Sequence, residues 1–243
     1  MEDMMLKAVL DELDARIAAG SILGHPFYRR WNAGALTRQD LATYARIYYP
    51  HVAAFPEYLE TAAERAEPTA VRAELLQNLR EERTEPQAHS ELWLRFAAAV
   101  GADPHAVRAA QPTPAAGRTI DAFRRLCGTS TAAALAALYA YESQQPEVSR
   151  QKIAGLRNHY GIAHAEAISY FSVHAEADQR HRAGERRALA ICLESGDCAG
   201  EVLAAGQAAL GAYWNLLDAV NEEIAAAATG CARVTGQESP PRN

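Results

Sequence analysis

Residues 174–181 read His-Ala-Glu-Ala-Asp-Gln-Arg-His, which puts His174, Asp178 and His181 at positions i, i+4 and i+7. On a helix those three side chains share one face. Two imidazoles and a carboxylate together suit iron, manganese or zinc, whereas calcium and magnesium favour all-oxygen shells. A solvated polar helix face would carry the same pattern. The apolar Ile168, Phe171 and Val173 around the motif favour a helix packed against others instead.

Two upstream segments offer further ligands. Leu135-Ala-Ala-Leu-Tyr-Ala-Tyr-Glu142 is apolar until its last residue. A carboxylate buried there costs free energy unless a cation compensates it; the competing reading is a helix end before Pro146. Glu82 and His89 stand seven apart, two helical turns if the helix continues through Pro86. The register near Pro86 does not separate Glu82 from its neighbour Glu81, and the pair is weak alone.

Tyr28, Tyr44, Tyr48, Tyr49, Tyr141 and Tyr170 crowd the same blocks. Tyr141 adjoins Glu142, and Tyr170 lies one turn before His174. Most tyrosines are amphipathic core fillers whose hydroxyl finds a partner. Lysine is scarce, limited to Lys7 and Lys152. Unlike arginine, a desolvated lysine can lose its proton and become a nucleophile or amine donor.

The elements that must position these groups are helices. Ala, Leu, Glu and Arg dominate, and period-two runs of Val, Ile and Thr are missing. The pattern predicts helices over 3–18, 26–33, 38–66 (disturbed at Pro50 or Pro56), 68–84, 87–100, 115–127, 130–145, 147–159, 161–182, 184–195 and 198–228. Thr37 and Asp103-Pro104 read as starts, and Gly101, Gly128 and Gly196 as stops. The fold class is all-α, a single domain over 1–228 followed by a tail, 229–243, with little to bury and the composition of a disordered segment. Ferritin-like bundles carry paired Glu-x-x-His motifs, and this chain has no such pairing.

With 243 residues, 49% of them hydrophobic, the chain can bury a substantial core. Its net charge of −6 and lack of a dense Lys/Arg cluster argue against a nucleic-acid surface. No 18-residue uncharged apolar run and no leader pattern occurs, so a cytoplasmic protein with no membrane contact is expected. Cys127, Cys192, Cys198 and Cys231 form no CxxC pair and read as reduced thiols.

Five blocks in order carry a resemblance: His25 to Thr37, Tyr44 to Pro56, Glu82 to Trp93, Tyr139-Ala-Tyr-Glu-Ser-Gln144, and His174 to His181. Over residues 20–225 the chain resembles the haem-oxygenase-like dimetal oxidases. It is most similar to the group of the Chlamydia protein associating with death domains, and more distantly to the thiaminase-like (TenA) and PQQ-biosynthesis C (PqqC) proteins. The resemblance implies two metal ions, iron with iron or manganese with iron, on Glu82, His89, Glu142, His174, Asp178 and His181. It further implies O2 as co-substrate and an external reductant from an unknown electron donor.

That group is thought to form p-aminobenzoate for folate synthesis by consuming one of its own tyrosines, with a lysine as amine source. Tyr28 matches that tyrosine and Lys152 that lysine, with Tyr141, Tyr170 and Tyr44 as further candidates for catalytic roles. The rivals are a related oxidase of a free fatty acid or amino acid, a module that binds death domains, and a metal-free thiaminase-like hydrolase. The last would want a nucleophilic cysteine and has no use for six ligands. A homodimer is compatible with the sequence.

Overall fold

The computed structural model describes residues 2–235 except 68, 85, 86, 197 and 198. Eleven α-helices are formed by the described residues: α1 (Glu2–Ala19), α2 (Pro26–Asn32), α3 (Arg38–Arg65), α4 (Thr69–Thr84), α5 (His89–Ala99), α6 (Pro104–Ala109), α7 (Pro114–Thr129), α8 (Thr131–Glu142), α9 (Gln145–Asn158), α10 (Ala165–Glu194) and α11 (Ala199–Thr235). No strand occurs among them. The all-α expectation holds.

Local chemistry sets several boundaries. Thr37 and Asp40 cap α3 reciprocally: the Thr37 hydroxyl accepts from Asp40 N–H at 3.1 Å and the Asp40 carboxylate accepts from Thr37 N–H at 2.9 Å. The helix then runs through Pro50 and Pro56 without breaking, because packing along its length outweighs the hydrogen bonds that proline removes. Asp103 caps α6 with Pro104 in its first turn. Gly101 and Gly196 take positive φ of 93° and 98° just past α5 and α10, the left-handed C-terminal position glycine fills without strain.

From Ala132 to Glu142, α8 is buried on every side, as expected of a helix with no polar face. Its alanines let α7, α10 and α11 approach closely. The long α10 packs against α4, α5, α8 and α9, so it meets each helix that carries another candidate ligand.

Glu82 and His89 lie on separate helices, as the expected 68–84 and 87–100 have it: α4 stops at Thr84 and α5 starts at His89. Two expectations need correction. First, α10 is one helix rather than two pieces parting at residue 183. Gly184 is not a breaker; a Cβ there would fall 1.6 Å from the Glu74 carboxylate, so the position marks a close approach of α4. Second, the short α6 is an element of its own. At the C-terminus α11 reaches Thr235, past the start of the expected tail, and residues 236–243 lie outside those described.

Candidate metal centre

The six candidate ligands converge from four helices into two buried groups. Glu82 of α4, His89 of α5 and His174 of α10 form one; Glu142 of α8 with Asp178 and His181 of α10 form the other. Within each group the donor atoms lie inside 4.8 Å of one another. His89 Nδ1 is 2.8 Å and His174 Nε2 3.6 Å from Glu82 Oε1. In the second group His181 Nδ1 lies 3.2 Å from Asp178 and 3.5 Å from Glu142.

Both α10 imidazoles are aimed from behind. His174 Nδ1–H donates to the Tyr170 carbonyl at 2.7 Å, a partner one turn back that can only accept, which leaves Nε2 toward Glu82. His181 Nε2–H donates to Glu81 at 3.0 Å, leaving Nδ1 toward the carboxylates. Orienting contacts of this kind fix tautomer and ring angle at metal sites. Glu81 and Glu82 therefore separate by role: Glu82 joins the first group, and Glu81 braces His181 while also accepting from Arg180 at 2.9 Å and Gln77 at 2.8 Å. Asn78 donates to both oxygens of Glu142 at 2.9 Å.

The electrostatics fit cations. Burial would raise the Glu82 carboxyl, but the His89 and His174 imidazoles outweigh it and hold it below its ordinary range. Burial would lower both α10 histidines, yet Asp178 and Glu82 push His174 up to about 9, and Asp178 and Glu142 push His181 up to about 12. Desolvation raises Glu142. Asp178 Oδ2 is buried with no hydrogen-bond partner. Buried acids sharing imidazoles in this way, with an orphan oxygen between them, form a donor set that a divalent ion completes.

Between the two groups lies a cavity of about 10 Å³ lined by Val52, Phe55, Glu82, Tyr141, Glu142, Tyr170, His174 and Asp178. Tyr141 and Tyr170 thus face it. From Tyr141 a chain of hydroxyls leads away: Tyr141 to Tyr48 at 3.0 Å, Tyr48 to Tyr213 at 3.0 Å, with Gln145 donating to Tyr213 at 2.9 Å. Burial pushes the phenols of Tyr28, Tyr44, Tyr48, Tyr141 and Tyr170 well above the ordinary tyrosine range. Tyr49 is only partly desolvated and stays apart from this network.

Lys152 is 2% exposed, the reverse of a surface ammonium. Its Nζ donates to the Tyr44 hydroxyl and lies 4.9–5.7 Å from the ring centres of Tyr28, Tyr44, Tyr48, Trp93 and Phe171. Desolvation lowers its pKa well below that of a free lysine. Tyr28 is fully buried; its hydroxyl faces those of Tyr44 and Tyr213 without a well-aligned hydrogen bond. Cys127 and Cys192 are buried. Burial and the charges of Glu185 and Glu142 push Cys127 up to about 12, so it is a neutral core thiol and no nucleophile. The side chains of Cys198 and Cys231 lie outside those described.

Asn78, Gln145, Tyr213 and Glu185 are polar residues of the site that escaped sequence reasoning. Tyr213 on α11 has no motif to mark it. Glu185 on α10 is 2% exposed and continues the face of His174, Asp178 and His181 at i+11, a spacing that the expected helix break concealed.

Residues 42–214 match the model of a family described as iron-containing redox enzymes. The chain belongs to that family. Among its relatives, a protein of Chlamydia trachomatis named 4-aminobenzoate synthase is 40% identical over 210 residues, 86% of this chain and 90% of its own length. One of the same name from Nitrosomonas europaea is 35% identical over 225 residues, 88% of this chain and 92% of its own. The crystal structure of a CADD-like protein of unknown function from Nostoc punctiforme superposes with a TM-score of 0.74 at 20% identity, covering 90% of this chain and 98% of that one. The fold is haem-oxygenase-like, the chain is an oxidoreductase by family, and its two buried groups fit a dimetal centre.

Proposed function

We propose that this chain forms 4-aminobenzoate from its own side chains, Tyr28 supplying the ring and Lys152 the amine. Glu82, His89 and His174 would hold one metal ion, and Glu142, Asp178 and His181 the other, as an iron pair or manganese with iron. The name shared by relatives at 35% and 40% identity supports the product. The observation that carries the self-supplied reading is Lys152, an amine sealed among Tyr28, Tyr44, Tyr48, Trp93 and Phe171.

An uncharged amine has the lone pair that C–N bond formation requires, and burial keeps Lys152 in that form. Tyr44 accepts the hydrogen bond of Lys152 and so fixes the nitrogen against the rings. When bound, the metal pair would supply oxidising equivalents from O2, given an external reductant. A buried phenol that loses an electron must also release its proton. The hydroxyls of Tyr141, Tyr48 and Tyr213 offer that proton a path without water. Toward Lys152 the aromatic contact is continuous as well: Tyr170 packs on His174 at 4.1 Å between ring centres and on Trp93 at 4.8 Å.

The rival oxidase of a free fatty acid or amino acid needs a substrate chamber, ordinarily some hundreds of Å³. The cavity beside the ligands is about 10 Å³, room for one small molecule such as water or O2. A cytoplasmic setting suits reduced thiols and a reductant-fed centre.

The test is product formation by metal-loaded protein with O2 and reductant and no aromatic precursor. Yield should reach about one product per chain at most, because a side chain is consumed. Ring-labelled tyrosine introduced during expression should appear in the product. Tyr28→Phe and Lys152→Arg should abolish it while leaving metal content unchanged. Unlabelled product, or many turnovers from an added small molecule, would reject the reading.

A further inference from the structure

The second metal group contains more acid than its three named ligands. Glu185 lies one turn beyond His181 on the uninterrupted α10, at i+11 from His174 and i+7 from Asp178, so four polar side chains share one inward face. It is 2% exposed, and neither carboxylate oxygen has a well-aligned hydrogen-bond partner. Glu81 reaches the same end of the site but is held by His181, Arg180 and Gln77, and Glu142 is held by Asn78. Glu185 instead shares the condition of Asp178 Oδ2, a buried ligand oxygen without a well-aligned partner. Its carboxyl meets that of Glu142, with His181 and Asp178 close by, all three members of this group.

A carboxylate so placed is expensive unless a cation is near. The charge count points the same way. Glu82, Glu142 and Asp178 bring three negative charges to a buried site that holds two divalent ions and neutral imidazoles, leaving one positive charge in excess. Glu185 makes four, which balances the pair. We propose that Glu185 is a seventh side chain of the metal centre, a carboxylate that serves the ion held by Glu142, Asp178 and His181.

This inference rests on the dimetal reading, and the test separates the two. Metal-free wild type, Glu185→Gln and Glu185→Asp are titrated anaerobically with Co(II) against a competing chelator, with the visible d–d absorption followed and melting temperatures recorded before and after loading. Wild type should bind about two ions. Glu185→Gln should keep the first ion with unchanged affinity and bind the second at least about tenfold more weakly, the usual cost of removing a group that supports a metal site, with an altered absorption spectrum. Glu185→Asp, which retains the charge on a shorter arm, should fall between. The metal-free glutamine variant should melt no lower than metal-free wild type, which separates loss of the ion from loss of the fold. Two ions bound by Glu185→Gln with wild-type affinity and spectrum would overturn the proposal alone. Wild type that takes up no second ion would overturn the dimetal reading and this inference together.

Discussion

The Glu81 carboxylate holds the far side of the His181 ring: Nε2 donates to it at 3.0 Å, while Nδ1 of the same ring faces Asp178 at 3.2 Å. A residue adjacent in sequence to the candidate ligand Glu82 thereby braces the other group. Glu81→Gln should weaken the second ion by roughly 10–100-fold, the range seen for orienting partners of metal-bound histidine, and leave the first untouched. Glu82→Gln should do the reverse and remove the first ion. Stoichiometry and chelator competition on the two variants distinguish these outcomes.

Metal removal should destabilise the fold. Glu142 and Asp178 sit together in the core, and desolvation raises Glu142, so the charge of Glu142 opposes folding at neutral pH without a metal ion. The metal-loaded protein should melt higher than the metal-free form. Glu142→Gln should narrow that gap from both sides, by stabilising the metal-free chain and weakening the ion. Calorimetry at pH 7 with and without metal checks it; equal melting temperatures would remove the site.

Metal binding should release protons and tighten as pH rises. In the metal-free protein His174 is raised to about 9 and His181 to about 12, so both are protonated at neutral pH, whereas a metal takes the neutral ring. Because both values lie above the unfolded one, their contribution to metal-free stability is complete below about pH 6.5. It is lost as pH climbs through about 9 and then 12. Titration calorimetry in two buffers of different ionisation enthalpy reads the protons directly; the same apparent heat in both would contradict the assignment.

Lys152→Met should raise the melting temperature at pH 7 while ending product formation. The folded protein holds this amine well below its free pKa, so the unfolded chain gains a proton that the folded chain refuses, and folding is opposed at every pH below the free value. An unbranched apolar side chain of similar length removes that cost. In a chain of this size each kcal/mol gained is worth about 2–4 °C. A lower melting temperature would mean that the aromatic cage favours the ammonium.

Tyr48→Phe should cut product yield with metal content preserved, since it deletes the one hydroxyl that bonds both Tyr141 and Tyr213. Tyr49→Phe, outside that chain, is the control. Equal yields from the two variants would leave the hydroxyl chain without a role.

The ligand face of α10 was legible because helical periodicity alone aligns His174, Asp178 and His181. The partition of Glu81 from Glu82 was not, since it depends on where α4 ends and on which helix His89 begins. Glu185 stayed hidden for a similar reason: Gly184 marks a close approach of Glu74 rather than a helix end, and a helix broken at 183 resets the register that would have aligned residue 185 with the ligands. Composition made Lys152 conspicuous, but its burial follows from the packing of α9 against α2 and α10, which no local pattern records.

Tyr28 is wholly enclosed, packed against Phe27 at 5.5 Å between ring centres and beneath the Lys152 amine. Under the proposed chemistry the chain that has reacted is no longer the chain that folded: a ring has left the middle of its core. Truncating a buried aromatic typically costs about 3–5 kcal/mol, a large share of the roughly 5–15 kcal/mol that holds a domain together. A spent molecule is therefore marked by its own void, more open to proteases than its unreacted sisters. The cell's supply of product would then be governed by how fast the chain is translated and cleared, as for a reagent, rather than by a turnover number.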